Sequence, residues 1–487
     1  MESMALETNG IMKRLLTGLC LLSLLGSGPA QAKVKLPEIL SDNMVLQQQA
    51  EVNLWGTATP NANVHISPSW SRDTITVQAD SNGNWTARLT TPSASYTPQQ
   101  IDFSDGEHTR LANILIGEVW FCTGQSNMEM PLNGFWNCPI ENANETIATA
   151  GEWKGIRVAT IAKTGALTPQ EEAKGSWQET NPDTAPWFSA TAFSFAQMLN
   201  RVLQVPVGII SCAWGGSRVE GWLPEEIVKN YPDVDLKKEI QAPAEGQEWN
   251  YLTPTVMYNG MLKPLSRYTI KGFLWYQGES NVGKHDTYTE RLKTMVDRWR
   301  KDFAQGELPF YLVEIAPYDY GEGIGGALLR EAQFRAATTI AHSGIVCTND
   351  LVYPFEKPQI HPCQKREVGN RLAYLALNKT YGYHSIAADY PTYRSMDIHG
   401  EPPEIAFDNA RAVFSPGPDT KVFKIAGADR TFHPATATLD TNKKTILVKS
   451  DKVKEPVAVR YCFRNFQIGN LKNHRGMPVI PFRTDSW

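Results

Sequence analysis

From about residue 114 to about residue 380, short apolar runs alternate with stretches of helical periodicity. This alternation constrains the fold more than any other feature of the chain. The pattern predicts strands over 205–211, 272–276, 310–315 and 345–348. It predicts helices over 192–203, 328–340 and 365–377. Leu292, Met295, Val296, Trp299 and Phe303 fall on one face of a further helix. Strands that alternate with helices in this way build a mostly parallel sheet with helices on both faces. Ligands of such α/β sheets sit beyond the carboxyl ends of the strands.

The flanks read differently. Residues 33–110 carry short polar–apolar alternations at 52–56, 63–66, 74–77 and 84–87, separated by turns such as Asp80-Ser81-Asn82-Gly83. They are expected to form a β-sandwich or jelly-roll module. Residues 396–487 are again β-rich, with strand candidates at 412–414, 445–448 and 457–461. They either form a second β-unit or complete the first. The catalytic part is expected over 111–395.

Residues 1–32 read as a leader. Lys13 and Arg14 precede an apolar stretch over 15–25, too short to span a bilayer. Ala30-Gln31-Ala32 is a small-residue cleavage pattern, and Met12 offers a second start. Cleavage near Ala32 and export, by secretion or to a periplasm, are expected. Six cysteines follow that point, scattered and without CxxC spacing, so no zinc site is expected and pairing is left open. The net charge of −4, with no basic run, argues against nucleic acid or an anionic membrane surface as partner.

Four segments stand at predicted strand ends. Gly124-Gln125-Ser126-Asn127-Met128 follows an apolar strand with a glycine turn, which exposes a serine hydroxyl and its N–H. Trp214-Gly215-Gly216-Ser217 has two glycines that let a backbone N–H approach an oxyanion. In Trp275-Tyr276-Gln277-Gly278-Glu279-Ser280-Asn281, either Gln277 or Asn281 has a side-chain N–H to offer. Glu279 reads first as a structural acceptor. Ile360-His361-Pro362 supplies a base whose neutral imidazole takes a serine proton. Each segment alone has an ordinary structural explanation; the four in this order match the layout of an SGNH hydrolase.

The set resembles the sialate O-acetylesterase family of carbohydrate esterases. The likeness rests on GQSNM at 124–128, WGGSRVEGW at 214–222, WYQGESN at 275–281 and IHP at 360–362. Leu329-Arg330-Glu331-Ala332-Gln333, Val459-Arg460-Tyr461 and Pro481-Phe482-Arg483-Thr484-Asp485 extend it over roughly residues 34–487. It implies an SGNH-type fold, Ser126 as nucleophile, His361 as base, and Gly216 with Gln277 completing the oxyanion hole. Asn281 is then a substrate-binding candidate. No cofactor is implied. The substrate implied is an O-acetylated sialic acid, with acetylated xylan or another plant polysaccharide as the alternative.

The pattern departs from many SGNH enzymes at one point. Pro358 stands where an aspartate usually precedes the histidine by three residues. Asp350 is the candidate for the orienting acid, Glu356 is nearer in sequence, and a serine–histidine dyad oriented by a backbone carbonyl is the third possibility. No carboxylate pair stands out for glycoside hydrolysis. A non-catalytic carbohydrate-binding protein is the alternative from another class; the joint presence of nucleophile and base argues against it.

Overall fold

The computed structural model describes residues 33–399, 402–410, 413–414 and 422–487. The leader expected over 1–32 lies outside the described residues. The central sheet comprises β1 (His108–Gly124), β2 (Ile156–Thr160), β3 (Trp177–Glu179), β4 (Val207–Ala213), β5 (Gly272–Tyr276), β6 (Phe310–Val313) and β7 (Ser343–Val346). Its order is β7-β6-β5-β1-β4-β2-β3. All pairs are parallel except β2–β3. The strands are apolar runs because both sheet faces are covered. Four long helices do the covering: α1 (Ala190–Leu203), α2 (His285–Phe303), α3 (Gly325–Thr339) and α4 (Lys365–Lys379).

Side chains of β1 alternate between two cores, as the two-residue period requires. Val119 and Phe121 join Phe273, Trp299, Phe303 and Leu329 on one face. Trp120 and Cys122 join Phe193, Phe195, Leu372 and Leu375 on the other. The apolar positions anticipated on α2 are all buried. Burying each such large apolar side chain contributes about 1.5–3 kcal/mol.

The flanking β-regions attach to this sheet in different ways. The hairpin Glu51–Thr57/Asn84–Thr90 packs Trp85 against Phe103, with ring centroids 5.8 Å apart. Phe103 belongs to the strand Ser95–Ser104, which pairs antiparallel with the first half of β1. The second half of β1 pairs parallel with β4 and β5. The boundary expected at 110/111 therefore falls inside one continuous strand.

The C-terminal region forms its own seven-stranded antiparallel sheet, from Thr392–Asp397 to Phe482–Arg483. It docks through Arg483, whose guanidinium donates to both Glu331 carboxylate oxygens at 3.0 and 2.9 Å. Gly469 N–H also donates to Asn349 O at 3.0 Å.

The central strand ends at a point that demands glycine. Gly124 has φ +138°, and a Cβ there would lie 2.2 Å from Tyr276 O. The next residue closes the gap between β1 and β5, as Gln125 N–H donates to Tyr276 O at 3.0 Å. Gly124→Ala is therefore expected to destabilise the protein by more than 1 kcal/mol. Denaturant unfolding checks this: a midpoint equal to that of the unaltered chain would contradict the backbone clash.

Candidate active site

Ser126 begins a one-turn helix, Ser126–Glu129, directly after the β1 terminus. His361 lies on the loop between β7 and α4, and its Nε2 is 2.8 Å from Ser126 Oγ. The two residues are 235 positions apart, and only the parallel sheet brings them together. Burial first, and the nearby Lys365 ammonium second, push the His361 pKa down to about 4. The imidazole is therefore neutral near pH 7. Its Nε2 accepts the serine hydroxyl, which places the remaining ring hydrogen on Nδ1.

Among the described residues, no carboxylate orients that Nδ1. Asp350, the expected acid, is fully engaged elsewhere. Arg371 donates to Asp350 Oδ1 and Oδ2 at 2.7 and 2.9 Å, and Lys472 Nζ reaches Oδ2 at 2.7 Å. These two cations hold the Asp350 carboxyl below its usual range against its burial. Glu356 is also committed, accepting from Tyr353 N–H and Cys363 N–H at 2.8 Å each. Nδ1 instead faces Cys138 Sγ at 3.8 Å, and the imidazole packs edge-on against Phe135, 5.2 Å between centroids.

The backbone on both sides of His361 is clamped from within. Asn127 Nδ2 donates to Ile360 O at 3.1 Å and to Glu279 Oε1 at 2.5 Å. Lys365 Nζ donates to Pro362 O and to Asn127 Oδ1, both at 2.7 Å. Asn127 and Lys365 are fully buried and Glu279 nearly so. Desolvation lowers the Lys365 pKa to about 8, with the Glu279 charge opposing the fall. Desolvation likewise raises the Glu279 pKa. The two charges thus compensate each other beneath Ser126.

The glycine loop after β4 also meets the nucleophile. A Cβ on Gly215 would sit 3.3 Å from Ser126 Cβ. Gly215 N–H donates to Glu129 Oε2 at 2.5 Å, and Glu129 Oε1 pairs with Lys163 at 2.7 Å. Gly216 has φ +77°, and a Cβ there would strike the Tyr251 ring at 2.6 Å. Its carbonyl accepts from Ser280 Oγ at 2.7 Å.

Two expected site residues are placed differently from the sequence reading. Both amide hydrogens of Gln277 are spent, on Ser217 O at 3.0 Å and Asn281 Oδ1 at 2.8 Å. Its Oε1 accepts from Tyr288 OH at 2.9 Å. Gln277 is thus a buried brace between loops, with no amide hydrogen left for an oxyanion. Asn281 is 1% exposed, accepts from Val219 N–H at 3.1 Å and donates to Glu220. It lies in the core as a buried brace on the turn that holds Val219 and Glu220. The sequence reading also missed Asn127, Lys365, Cys138 and Glu129. Asn127 and Glu129 border the serine in sequence, which was a usable signal; Lys365 and Cys138 gave none.

A serine–histidine hydrogen bond at the carboxyl edge of a parallel sheet, beside a glycine loop, is an arrangement found in hydrolases of several kinds. Similarity to known proteins narrows the class to carbohydrate esterases. Residues 116–378 match the family described as carbohydrate esterase, sialic acid-specific acetylesterase. The chain is 25% identical to the sialate O-acetylesterase of Pongo abelii over 470 residues, covering 87% of this chain and 86% of that one. The human sialate O-acetylesterase is 25% identical over 429 residues, covering 80% and 79%. A solved carbohydrate acetylesterase from Xanthomonas citri is 32% identical with a TM-score of 0.82, covering 93% of this chain and 100% of that one. This chain belongs to the carbohydrate esterase family of sialic acid-specific acetylesterases, and its homologues place it among enzymes that remove O-acetyl groups from carbohydrates.

Two predictions follow from the geometry around His361. Asp350→Asn is expected to cost about 3–5 kcal/mol, because it uncouples a buried ion pair. Its turnover per folded molecule should stay near that of the unaltered chain; an acid behind the histidine would instead lose about 10⁴ in kcat. Urea unfolding and active-site-normalised kinetics read the two separately. The acid limb of kcat/KM is expected near pH 4, since the base is available only above its pKa. Lys365→Met should move that limb upward but short of 6.5, because burial, the larger cause, remains. A limb that stays in place would show that the Lys365 charge does not act on His361.

Proposed function

We propose that Ser126 is the acyl-accepting nucleophile and His361 its general base in a two-step acetyl transfer. His361 Nε2 takes the Ser126 proton while Oγ attacks the acetyl carbonyl. The carbonyl π electrons move to oxygen, and the N–H groups of Ser126 and Gly216 hold that oxyanion. Collapse re-forms the carbonyl and expels the sugar oxygen, which takes the proton from imidazolium. Water then attacks the acetyl-serine by the same proton relay and releases acetate. Each oxyanion donor in such a site contributes about 10²–10³ in turnover. The 2.8 Å contact between Ser126 Oγ and His361 Nε2 carries this reading.

O-acetylated sialic acid is the first substrate reading, supported by the matched family and the names of the mammalian relatives. A neutral acetylated polysaccharide such as xylan is the second. It is favoured by Lys163: the ammonium beside the glycine loop is already neutralised by Glu129, and so is less able to hold a sialic acid carboxylate. Export through the leader fits either substrate. No helix among the described residues is long and apolar enough to cross a membrane.

Ser126→Ala is expected to leave unfolding unchanged and to lower acetate release by at least about 10⁴-fold. Acetate release from acetylated sialosides and acetylated xylan, with an aryl acetate as reference, measures both claims. Undiminished aryl acetate hydrolysis by the variant would overturn the nucleophile assignment.

A further inference from the structure

A cavity of about 230 Å³ opens beyond the carboxyl ends of β2 and β4, the position at which α/β sheets take ligands. Glu129, Lys163, Trp187 and Ser189 line it, with Ala213 at its floor. It is smaller than the roughly 300–1,000 Å³ of pockets for drug-sized ligands, and suits a single ring. Glu129 connects it to the nucleophile, because its Oε2 accepts from Gly215 N–H and Gly215 abuts Ser126.

Trp187 is 67% exposed, although its neighbours Ala185 and Phe188 are fully buried. An exposed aromatic residue needs no explanation by itself. This one is rigidly mounted. Asn133 N–H donates to Pro186 O and Leu132 N–H to Phe188 O, each at 3.0 Å. Ala190 N–H donates to Met130 O at 2.9 Å. The turn that carries Trp187 is thus laced to the segment that leaves the Ser126–Glu129 helix, which fixes the backbone from which the exposed indole lines the cavity.

The polar pair opposite has matching capacity. Lys163 Nζ uses one of its three hydrogens on Glu129. The Glu129 oxygens, each engaged once, keep acceptor sites. A hydroxyl both donates and accepts, so a single free sugar hydroxyl can answer an ammonium and a carboxylate together. The C–H face of a sugar ring is apolar enough to lie on an indole.

We propose that this cavity is the subsite for the acetyl-bearing sugar, with its C–H face on Trp187 and a free hydroxyl on the Lys163–Glu129 pair. The inference rests on the esterase reading for its orientation toward Ser126, and names the chemistry by which that site holds its substrate. An acetylated sialic acid keeps several free hydroxyls and a monoacetylated residue within xylan keeps one, so both sources belong in the test.

The test uses the full chain carrying Ser126→Ala, which cannot turn over, titrated calorimetrically with an acetylated sialoside and separately with an acetylated xylo-oligosaccharide. Adding Trp187→Ala or Lys163→Met is expected to weaken binding of the preferred glycan at least tenfold, and Trp187→Phe less. In the chain with Ser126 intact, the same changes should lower kcat/KM for the glycan at least tenfold more than for p-nitrophenyl acetate. The glycan that binds identifies the source. Equal binding by parent and variants, or no binding of either glycan, would overturn the subsite. Loss of aryl acetate hydrolysis by Ser126→Ala tests the esterase reading independently.

Discussion

Asn127 spends both ends of its carboxamide inside the protein. The amide nitrogen serves Ile360 O and Glu279, and the amide oxygen receives Lys365. Three loops leaving different strands meet on this one side chain: the nucleophile turn, the Glu279 loop and the histidine loop. Hydrogen bonds to charged partners contribute about 1.5–3 kcal/mol each. Only an amide fits, because the position must donate to a carboxylate and accept from an ammonium. An acidic side chain of the same shape would face Glu279 with a second acceptor and leave Ile360 O without its donor.

The same arrangement orients His361, whose ring meets no carboxylate among the described residues. A carboxylate behind the ring would hold the imidazole in place and favour its charged form. Here orientation comes from clamping the carbonyls of Ile360 and Pro362, and the electrostatics run the other way. Burial and the Lys365 charge disfavour imidazolium, so the base stays free at low pH. A weaker base has less drive to take the serine proton and more to return it to the leaving sugar oxygen.

Much of this architecture was legible in the chain. Residues 272–276 coincide with β5, and the heptad-like apolar spacing after residue 290 lies on the buried face of α2. These elements are local, and their periodicity states their environment. The meeting of Ser126 and His361 was legible because both follow strands whose carboxyl ends share one edge of the sheet. The partners of His361 were not. Asp350 is at a strand end, as anticipated, yet Arg371 and Lys472 lie one helix and one sheet away and claim its carboxylate. Gln277 and Asn281 are amides on the right loop, but the Gln277 hydrogens are absorbed by Ser217 and Asn281, and Asn281 donates to Glu220. Which amide stays free is decided by three-dimensional neighbours that no spacing encodes.

The N-terminal β-region hangs from β1 and not from a tether. Seventeen residues, His108–Gly124, begin as an outer strand of that region and end one residue from the nucleophile's neighbour Gln125. A bead-on-a-string accessory module can be excised or swapped between enzymes at its linker. This one offers no such seam: any cut between the two halves severs the strand that positions Ser126. The outer region and the turn that carries Ser126 thus share one continuous backbone strand.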